Sequence, residues 1–323
     1  MPQSPRSPVI PPALGDAPPV PMSPAPSARG GIALIAVSAA AFGAMAIFAR
    51  GAAASGADMF AMLLFRFFVA TVLLLVWCRI QQVRFPSRRQ SLHIALMGGI
   101  GYVGQSLCFF GALQYAQASL VALLLYLYPV FVTILAAIFL HERLTPVKIG
   151  ALVLCSFGTA LTVGGGHGQP LGMALAVASA LIYSGYIVVG ARVTRGVDAR
   201  ATATLVCLAA TVSFGAIAAV RAWHGLPLHW PDGAMGWAAL TAIAVCSTVI
   251  AILTFFAGLQ RLGAGRASML STLEPVVTVL LAAMLLGETL TVAQLGGGAL
   301  ILAGVVWLSA PGASADTANT ASA

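Results

Sequence analysis

Long apolar runs dominate this chain and limit what it can fold into. Ten of them lie between residues 31 and 309, separated by short polar or basic segments. Most span about 20 residues, which as α-helix covers the roughly 30 Å hydrocarbon core of a bilayer. The strands of a membrane β-barrel are about ten residues long and alternate in polarity, and these runs do neither. The sequence therefore predicts an all-α polytopic membrane protein with ten transmembrane helices, at about 31–49, 57–78, 93–112, 119–140, 147–164, 171–190, 200–220, 236–259, 267–286 and 292–309.

The composition excludes an ordinary soluble protein. Hydrophobic residues make up 60% of the chain and charged residues only 7%, whereas a soluble domain carries about 25% charged residues. Lipid is therefore the expected main solvent and partner. The net charge of +8 would suggest nucleic-acid binding in a soluble protein. Here the basic residues lie between the apolar runs, so we predict no nucleic-acid partner.

The basic residues are distributed unequally between the two sides of the membrane. Thirteen of the sixteen fall in segments assigned to one side, whereas Arg50 and Arg221 fall on the other and Arg66 lies within a helix. Because basic loops stay in the cytoplasm, this asymmetry predicts a multi-pass protein of the bacterial inner (plasma) membrane with both termini cytoplasmic. The thirteen are Arg6, Arg29, Arg79, Arg84, Arg88, Arg89, Arg143, Lys148, Arg192, Arg195, Arg200, Arg261 and Arg266.

The two ends of the chain have the composition of disordered tails. Residues 1–29 hold ten of the eighteen prolines and lack the apolar centre of a signal peptide. Residues 311–323 consist mostly of Ala, Ser, Thr and Asn. The five cysteines all fall in apolar runs without a CxxC pair, which indicates small buried residues rather than a metal or redox site.

The chain repeats itself at a shift of 146 residues. Apolar residues alone could match by chance, but here Gln, Pro, Glu, Thr and Gly match as well. A unit of five helices is odd, so its second copy enters the membrane from the opposite side, an arrangement common in secondary transporters. We therefore predict two inverted repeats, 30–164 and 165–310. The matched pairs are Gln114/Gln260, Pro129/Pro275, Glu142/Glu288, Thr145/Thr291, Gly150/Gly296 and Gly158/Gly304.

Local signals mark where the last helix of each repeat begins. Thr145 precedes an apolar run as an N-cap does, and Pro146 suits the first helical position. Thr291 and Gln294 have the spacing of a capping box. The glycines that crowd the third and tenth runs are interpreted as helix-packing positions.

The repeat motifs resemble a known family. The closings HERLT at 141–145 and GETLT at 287–291, the prolines before them, the glycines after them and the RFFVA stretch at 66–70 are similar to the EamA family of the drug/metabolite transporter superfamily. The resemblance covers about residues 31 to 309. It implies a ten-helix transporter with a central cavity and cytoplasmic termini. That family spans amino-acid exporters, nucleotide-derivative carriers and drug exporters, so the resemblance does not name a substrate.

Two charged residues are predicted to lie deep in apolar runs. Glu274 and Arg66 would each cost about 2.5–3.5 kcal/mol at the bilayer centre, so both should face a cavity or a partner. Glu274 is a candidate for proton coupling or cation contact; alternatively, it is a structural acid satisfied near Pro275. Arg66 could bind a substrate carboxylate. Its alternative is a fixed interhelical pair, either with Glu274 or with helix-end carbonyls.

Pro129 and Pro275 are predicted to break corresponding helices. A mid-helix proline frees the carbonyl four residues earlier, here that of Leu125 and Ser271. Paired breaks in corresponding helices point to a transporter binding site, although simple kinks are the alternative. Polar and aromatic side chains near these breaks could line a pocket or merely pack between helices; they are Ser271, Tyr126, Tyr128, Tyr102, Gln105, Ser106, Tyr183 and Tyr186.

These features favour a secondary transporter of small metabolites. The leading hypothesis is a proton-coupled exporter of amino acids or related amphiphilic compounds, with a multidrug or organic-cation exporter as the alternative. An enzyme acting on lipid-linked substrates would need clustered acidic or histidine residues, which are absent from the sequence. No catalytic residues, cofactor or metal site are predicted, and no GxxxxGK[ST] nucleotide loop occurs. The sequence leaves the oligomeric state open.

Overall fold

The computed structural model describes residues 28–112, 115–116, 121, 124–163, 168–286 and 291–309. Within these ranges the chain is helical, with short turns and loops and no strand longer than the single bridge between Ala116 and Gly168. The two predicted tails lie outside the described residues, except that Ala28 and Arg29 already belong to the first helix.

The first repeat contains seven α-helices and one π-helical turn within the described residues. They are α1 (Ala28–Gly43), α2 (Met45–Ala54), α3 (Met59–Ile80), α4 (Arg88–Leu96), the π-helical turn π1 (Met97–Tyr102), α5 (Val103–Ala112), α6 (Tyr128–Phe139) and α7 (Pro146–Val163).

The second repeat continues the same pattern. Its described elements are α8 (Pro170–Val193), α9 (Ala199–Trp223), α10 (Gly233–Ala244), π2 (Val245–Ile250), α11 (Ala251–Leu262), α12 (Ala264–Leu270), α13 (Leu273–Leu286) and α14 (Val292–Ser309).

The lengths and apolar composition of the helices are those of a multi-pass membrane protein. Among the described residues, seven helical segments are long and apolar enough to cross a membrane, and three shorter apolar helices accompany them. Each of the ten predicted runs overlaps at least one of these helices. Several runs consist of two helical pieces, because short interruptions divide them.

The helix-start signals are confirmed. The Thr145 hydroxyl accepts from the Lys148 N–H at 3.3 Å, and α7 begins at Pro146. Thr291 and Gln294 form both hydrogen bonds of a capping box, at 2.9 and 3.2 Å. These bonds satisfy N–H groups that have no partner inside the helix.

The last helices of the two repeats, α7 and α14, pack closely through glycine. A Cβ atom at Gly158 would lie 2.7 Å from the Gly297 carbonyl oxygen, and one at Gly304 would lie 2.7 Å from the Cys155 sulfur. Only a residue without a side chain permits this approach. The predicted packing role is therefore confirmed for Gly304 but not for Gly296, where nothing lies within 4 Å of an added Cβ.

One prediction about charge is wrong. Arg66 is not the only arginine buried in a helix, because Arg266 lies within α12 rather than in a loop and is only 4% exposed. Its Nη2 donates to the Leu308 carbonyl at 3.0 Å, near the end of α14. The last carbonyl oxygens of a helix have no hydrogen-bond partner inside that helix. The bond to the Leu308 carbonyl therefore allows the Arg266 guanidinium to be buried. Of the cysteines, Cys108 and Cys246 are only half-buried.

Candidate functional site

The two prolines mark breaks at matching places in the repeats. The chain turns at Tyr126–Leu127 and at Ser271–Thr272, and a new helix starts directly afterwards. Pro129 therefore lies in the first turn of α6 and Pro275 in the first turn of α13, where a missing N–H costs nothing. The expectation of a free carbonyl at Ser271 is wrong, since this oxygen accepts from the Glu274 N–H at 3.0 Å.

Glu274 is the second residue of α13, directly after the break. It is half-buried, and its carboxyl group is a side-chain hydrogen-bond partner of the Tyr126 phenol. The start of a helix carries a partial positive charge that favours an acid there. The two breaks together thus provide a phenol, that of Tyr126, and a helix start, that of α13, for a carboxylate that would otherwise be costly inside the membrane.

Arg66 lies in α3, is 4% exposed and has no acidic partner among the described residues. Its Nη1 donates to the Met45 sulfur at 2.9 Å and its Nη2 to the Tyr102 hydroxyl at 3.0 Å. The guanidinium lies over the Phe67 ring at 4.7 Å, and its Nε has no partner. Neither of the structural alternatives for Arg66, a pair with Glu274 or binding to helix-end carbonyls, is seen. A buried cation with a spare donor can bind an anion.

Five tyrosines connect these two charged groups, and we refer to them as the tyrosine row. From Arg66, ring-centroid distances along the row are 5.9 Å from Tyr102 to Tyr186, 6.0 Å from Tyr186 to Tyr183, 4.9 Å from Tyr183 to Tyr128 and 6.3 Å from Tyr128 to Tyr126. Tyr126 then meets Glu274.

The row draws on three different helical regions: the end of π1, the middle of α8, and the break before α6 together with the first residue of α6. The spacings are those of interacting aromatic pairs.

The remaining predicted residues divide into two groups. Ser271 belongs to the site, because its side chain lies beside Tyr128, although its hydroxyl donates to the Ala267 carbonyl at 3.0 Å. Gln105 and Ser106 do not contact the tyrosine row through any hydrogen bond found among the described residues. Gln105 instead donates to the Ser179 hydroxyl at 3.2 Å, and Ser106 donates to the Gln105 side chain at 3.4 Å. The Gln105–Ser179 bond joins α5 to α8, which is the packing alternative.

The break between α1 and α2 touches both charged residues, and sequence reasoning missed it. A Cβ at Gly43 would lie 2.8 Å from the Glu274 carbonyl oxygen, and the Thr278 hydroxyl donates to the Gly43 carbonyl at 3.0 Å. Two residues later, Met45 accepts from Arg66. The sequence carries only a weak signal for this joint, a single glycine in an alanine-rich run.

Two π-helical turns are a second matched feature that the sequence did not reveal. A shift of 146 residues would carry π1 (97–102) onto 243–248, and π2 is observed at 245–250. Such turns are often found at functional sites. Here π1 ends at Tyr102, the residue that binds Arg66.

The arrangement suits binding and movement rather than covalent chemistry. It offers a guanidinium for a carboxylate, a carboxylate for an ammonium group or a proton, and aromatic walls between them. Among the described residues, no group of three or more His, Cys, Asp and Glu side chains could hold a metal ion.

Comparison with known proteins identifies the family. The profile of the EamA-like transporter family matches residues 29–164 and again residues 170–310. This chain belongs to that family. The resemblance inferred from the repeat motifs is therefore confirmed, and the two-repeat architecture and a role as a membrane transporter follow from it.

Named relatives include exporters. A probable terminal-alkyne amino-acid exporter from Streptantibioticus cattleyicolor is 30% identical over 257 residues, covering 76% of this chain and 82% of that protein. The aromatic amino acid exporter YddG from Ancylobacter novellus is 30% identical over 202 residues, covering 60% and 67%. A crystal structure with 22% identity has a TM-score of 0.75 and covers 92% of this chain and all of the other, a likeness that concerns the fold.

Proposed function

We propose that this EamA-like transporter is a proton-coupled exporter of amino acids or related amphiphilic compounds. It would cross the bacterial inner membrane ten times, with inverted repeats at 30–164 and 165–310 and both termini in the cytoplasm. The similarity to two amino-acid exporters supports the substrate class. The surplus of basic residues in the loops of one side supports the orientation.

The observation that carries the proposal is the tyrosine row with a buried cation at one end and a carboxyl group at the other. An amino acid has the complementary pattern, with a carboxylate for Arg66 and an ammonium group for Glu274. Its side chain would lie against the tyrosine rings. The free Nε of Arg66 leaves a donor for this carboxylate.

Proton coupling follows if the proton and the substrate compete for Glu274. In the protonated state the acid no longer attracts an ammonium group, so the solute leaves; losing the proton restores the binding site. The helix breaks on either side of the row, at 126–127 and 271–272, would let the flanking helical pieces move between states.

An organic-cation exporter is the second candidate, because Glu274 and the tyrosines alone would attract a cation with apolar surface. Arg66 weighs against it, since a buried guanidinium repels cations. The proposed partners are a small-molecule substrate and the lipid bilayer, without nucleic acid.

Counterflow in proteoliposomes tests the substrate class. Vesicles loaded with phenylalanine, phenethylamine or 3-phenylpropionate would be diluted into labelled phenylalanine, since these three differ only in their charged groups. We expect exchange with the zwitterion and little exchange with either single-charge analogue. Equal exchange with phenethylamine would favour an organic-cation exporter. No exchange with any amino acid from a broad set would refute the proposal.

A substitution at Arg66 tests the binding mode. Arg66→Gln should abolish phenylalanine counterflow, because the carboxylate loses its partner. Arg79→Gln is a matched control in the same helix, since Arg79 is exposed. Full counterflow by the Arg66→Gln protein would contradict the assigned role.

A further inference from the structure

The loop after α6 reaches across to the other repeat. His141 adopts a left-handed backbone (φ 56°), and the Glu142 N–H bonds back to the Ala136 carbonyl at 3.2 Å. This tight turn directs the Glu142 side chain away from α6 and toward the corner between α11 and α12. A left-handed residue other than glycine is uncommon, so the turn is a specific feature of this loop.

The Glu142 carboxylate fits into the backbone of that corner. Its Oε1 accepts from the Ala264 N–H at 3.0 Å, and its Oε2 lies 3.4 Å from the Lys148 Nζ. A Cβ atom at Gly263 or at Gly265 would lie only 2.8 or 2.9 Å from a carboxylate oxygen. The two glycines thus leave room for the acid, and a residue of the first repeat binds the N–H of the second.

The corner that Glu142 binds is the start of α12, a short buried helix. All seven residues of α12, from Ala264 to Leu270, are buried. The Ser271–Thr272 break follows directly, and Glu274 comes two residues after it. Glu142 therefore fixes one end of a short rigid helix whose other end adjoins the proposed coupling acid.

A cavity of about 380 Å³ lies beside this contact. Leu140 and Glu142 contribute to its wall from the first repeat, and Val197, Gln260 and Gly263 from the second. The Gln260 side chain donates to the Thr194 and Val197 carbonyls, at 3.2 and 3.0 Å, so it holds its part of the wall in place. The cavity lies among the loops rich in basic residues, on the proposed cytoplasmic side.

We propose that the Glu142–Ala264 contact is the latch of a cytoplasmic gate. With the latch closed, α12 separates the cavity from the tyrosine row. When the carboxylate leaves the corner, α12 is free to swing about the break at 271–272, and a solute in the cavity gains access to Glu274. The role in solute passage rests on the proposed function, but the opening itself does not.

Thiol labelling measures the opening without any substrate. A single reporter, Ala267→Cys, would be introduced after the five native cysteines are replaced by alanine, because Ala267 is fully buried in α12. Inside-out membrane vesicles would be treated with a membrane-impermeant maleimide that reaches the cytoplasmic side. Adding Glu142→Ala should speed labelling about tenfold, the factor typical of losing a charge-assisted hydrogen bond.

Two further variants separate the latch from general loosening. Gly265→Ala keeps the acid but places a methyl group 2.9 Å from its Oε2, and alanine favours helix, so α12 itself is not weakened. It should speed labelling as Glu142→Ala does, and it decides the matter if Glu142→Ala does not fold. Asp198→Ala is the control: it removes the N-cap of α9 and an ion pair with Arg200 at 2.7 Å beside the same cavity, but both contacts lie at the start of one helix of the second repeat.

The outcomes are distinct. Faster labelling in both latch variants, with Asp198→Ala unchanged, supports the gate even if no amino acid is transported. Unchanged labelling in both latch variants overturns the gate, even if the parent protein is active in counterflow. Equal acceleration in Asp198→Ala also overturns it, because any loosening of the wall would then suffice.

Discussion

Replacing Gly158 by alanine should destabilise the contact between the two repeats. The new Cβ would lie 2.7 Å from the Gly297 carbonyl oxygen and 2.9 Å from both the Ile301 nitrogen and Cγ1. Two of these three atoms are backbone, so a change of rotamer cannot relieve the overlap. The helices α7 and α14 must instead move apart along their length.

The size of the effect follows from two opposing terms. Overpacking of this kind costs about 1–3 kcal/mol, and the rigid backbone partners place Gly158→Ala near the upper value. Alanine in a helix gains about 1 kcal/mol over glycine. The net loss in the free energy of unfolding is therefore about 2 kcal/mol, or roughly a thirtyfold change in the folded-to-unfolded ratio.

Gly296→Ala provides the matched control. It makes the same substitution in α14, but nothing lies within 4 Å of the new Cβ. This variant should gain up to about 1 kcal/mol from helix propensity alone. Unfolding of the detergent-solubilised proteins by sodium dodecyl sulfate, followed by circular dichroism, would compare the two. If Gly158→Ala is as stable as Gly296→Ala, the inferred packing of α7 on α14 is wrong.

Three other predictions concern the site and the membrane surface. Tyr102→Phe keeps the ring contacts but removes the hydroxyl bound to Arg66, so it should change the KM for phenylalanine counterflow. Tyr186→Phe should leave this KM unchanged, because the Tyr186 hydroxyl has no hydrogen bond among the described residues. Equal KM values for the two variants would contradict this prediction. Gly43→Ala should lower the transport rate severalfold by pushing α1 from the Glu274 carbonyl, and a normal rate would contradict the α1–α13 contact. Asp58→Ala should cost about 1 kcal/mol at neutral pH, because the acid caps α3 by accepting from the Ala61 N–H at 2.7 Å.

The pH dependence of the Asp58 effect has a definite sign. Burial raises the pKa of Asp58, but hydrogen bonds from the backbone of Ala61, His229 and Phe60 and the charge of Arg221 together lower it below its usual value. A lowered native pKa stabilises the fold above the unfolded value of about 3.9 and loses this effect as the pH falls through the native value. The difference in stability between parent and Asp58→Ala should therefore shrink in acid. A difference that is constant down to pH 3 would contradict this account.

The elements fixed by local sequence could be predicted well. The apolar runs locate the helices, and the caps at Thr145 and Thr291 are confirmed because they depend on residues only three positions apart. The repeat also located the breaks, since Pro129 and Pro275 restrict the backbone wherever they occur. Their detailed form was missed, because a proline suits the first turn of a new helix better than the middle of a continuous one.

The features that depend on contacts between distant segments could not be predicted. The partners of Arg66 are 21 and 36 residues away in sequence, and no periodicity relates them. The burial of Arg266 needs the end of α14, which lies 42 residues later. The tyrosines were recognised as candidates one by one. Their order in the row comes from the packing of helices, which a single sequence does not encode in any local pattern.

Accumulation of substrate driven by a pH gradient tests whether Glu274 couples transport to the movement of protons. Proteoliposomes with an acidic interior would be supplied with labelled phenylalanine, and the Glu274→Gln variant would be compared with the parent protein and with Asp232→Asn, a control at an exposed acid. We expect the parent and the control to accumulate phenylalanine as protons leave the vesicles. The Glu274→Gln variant should show at most counterflow exchange of phenylalanine, and it should not accumulate this solute. Gradient-driven accumulation by Glu274→Gln at the parent level would contradict the assignment of this residue as the coupling acid.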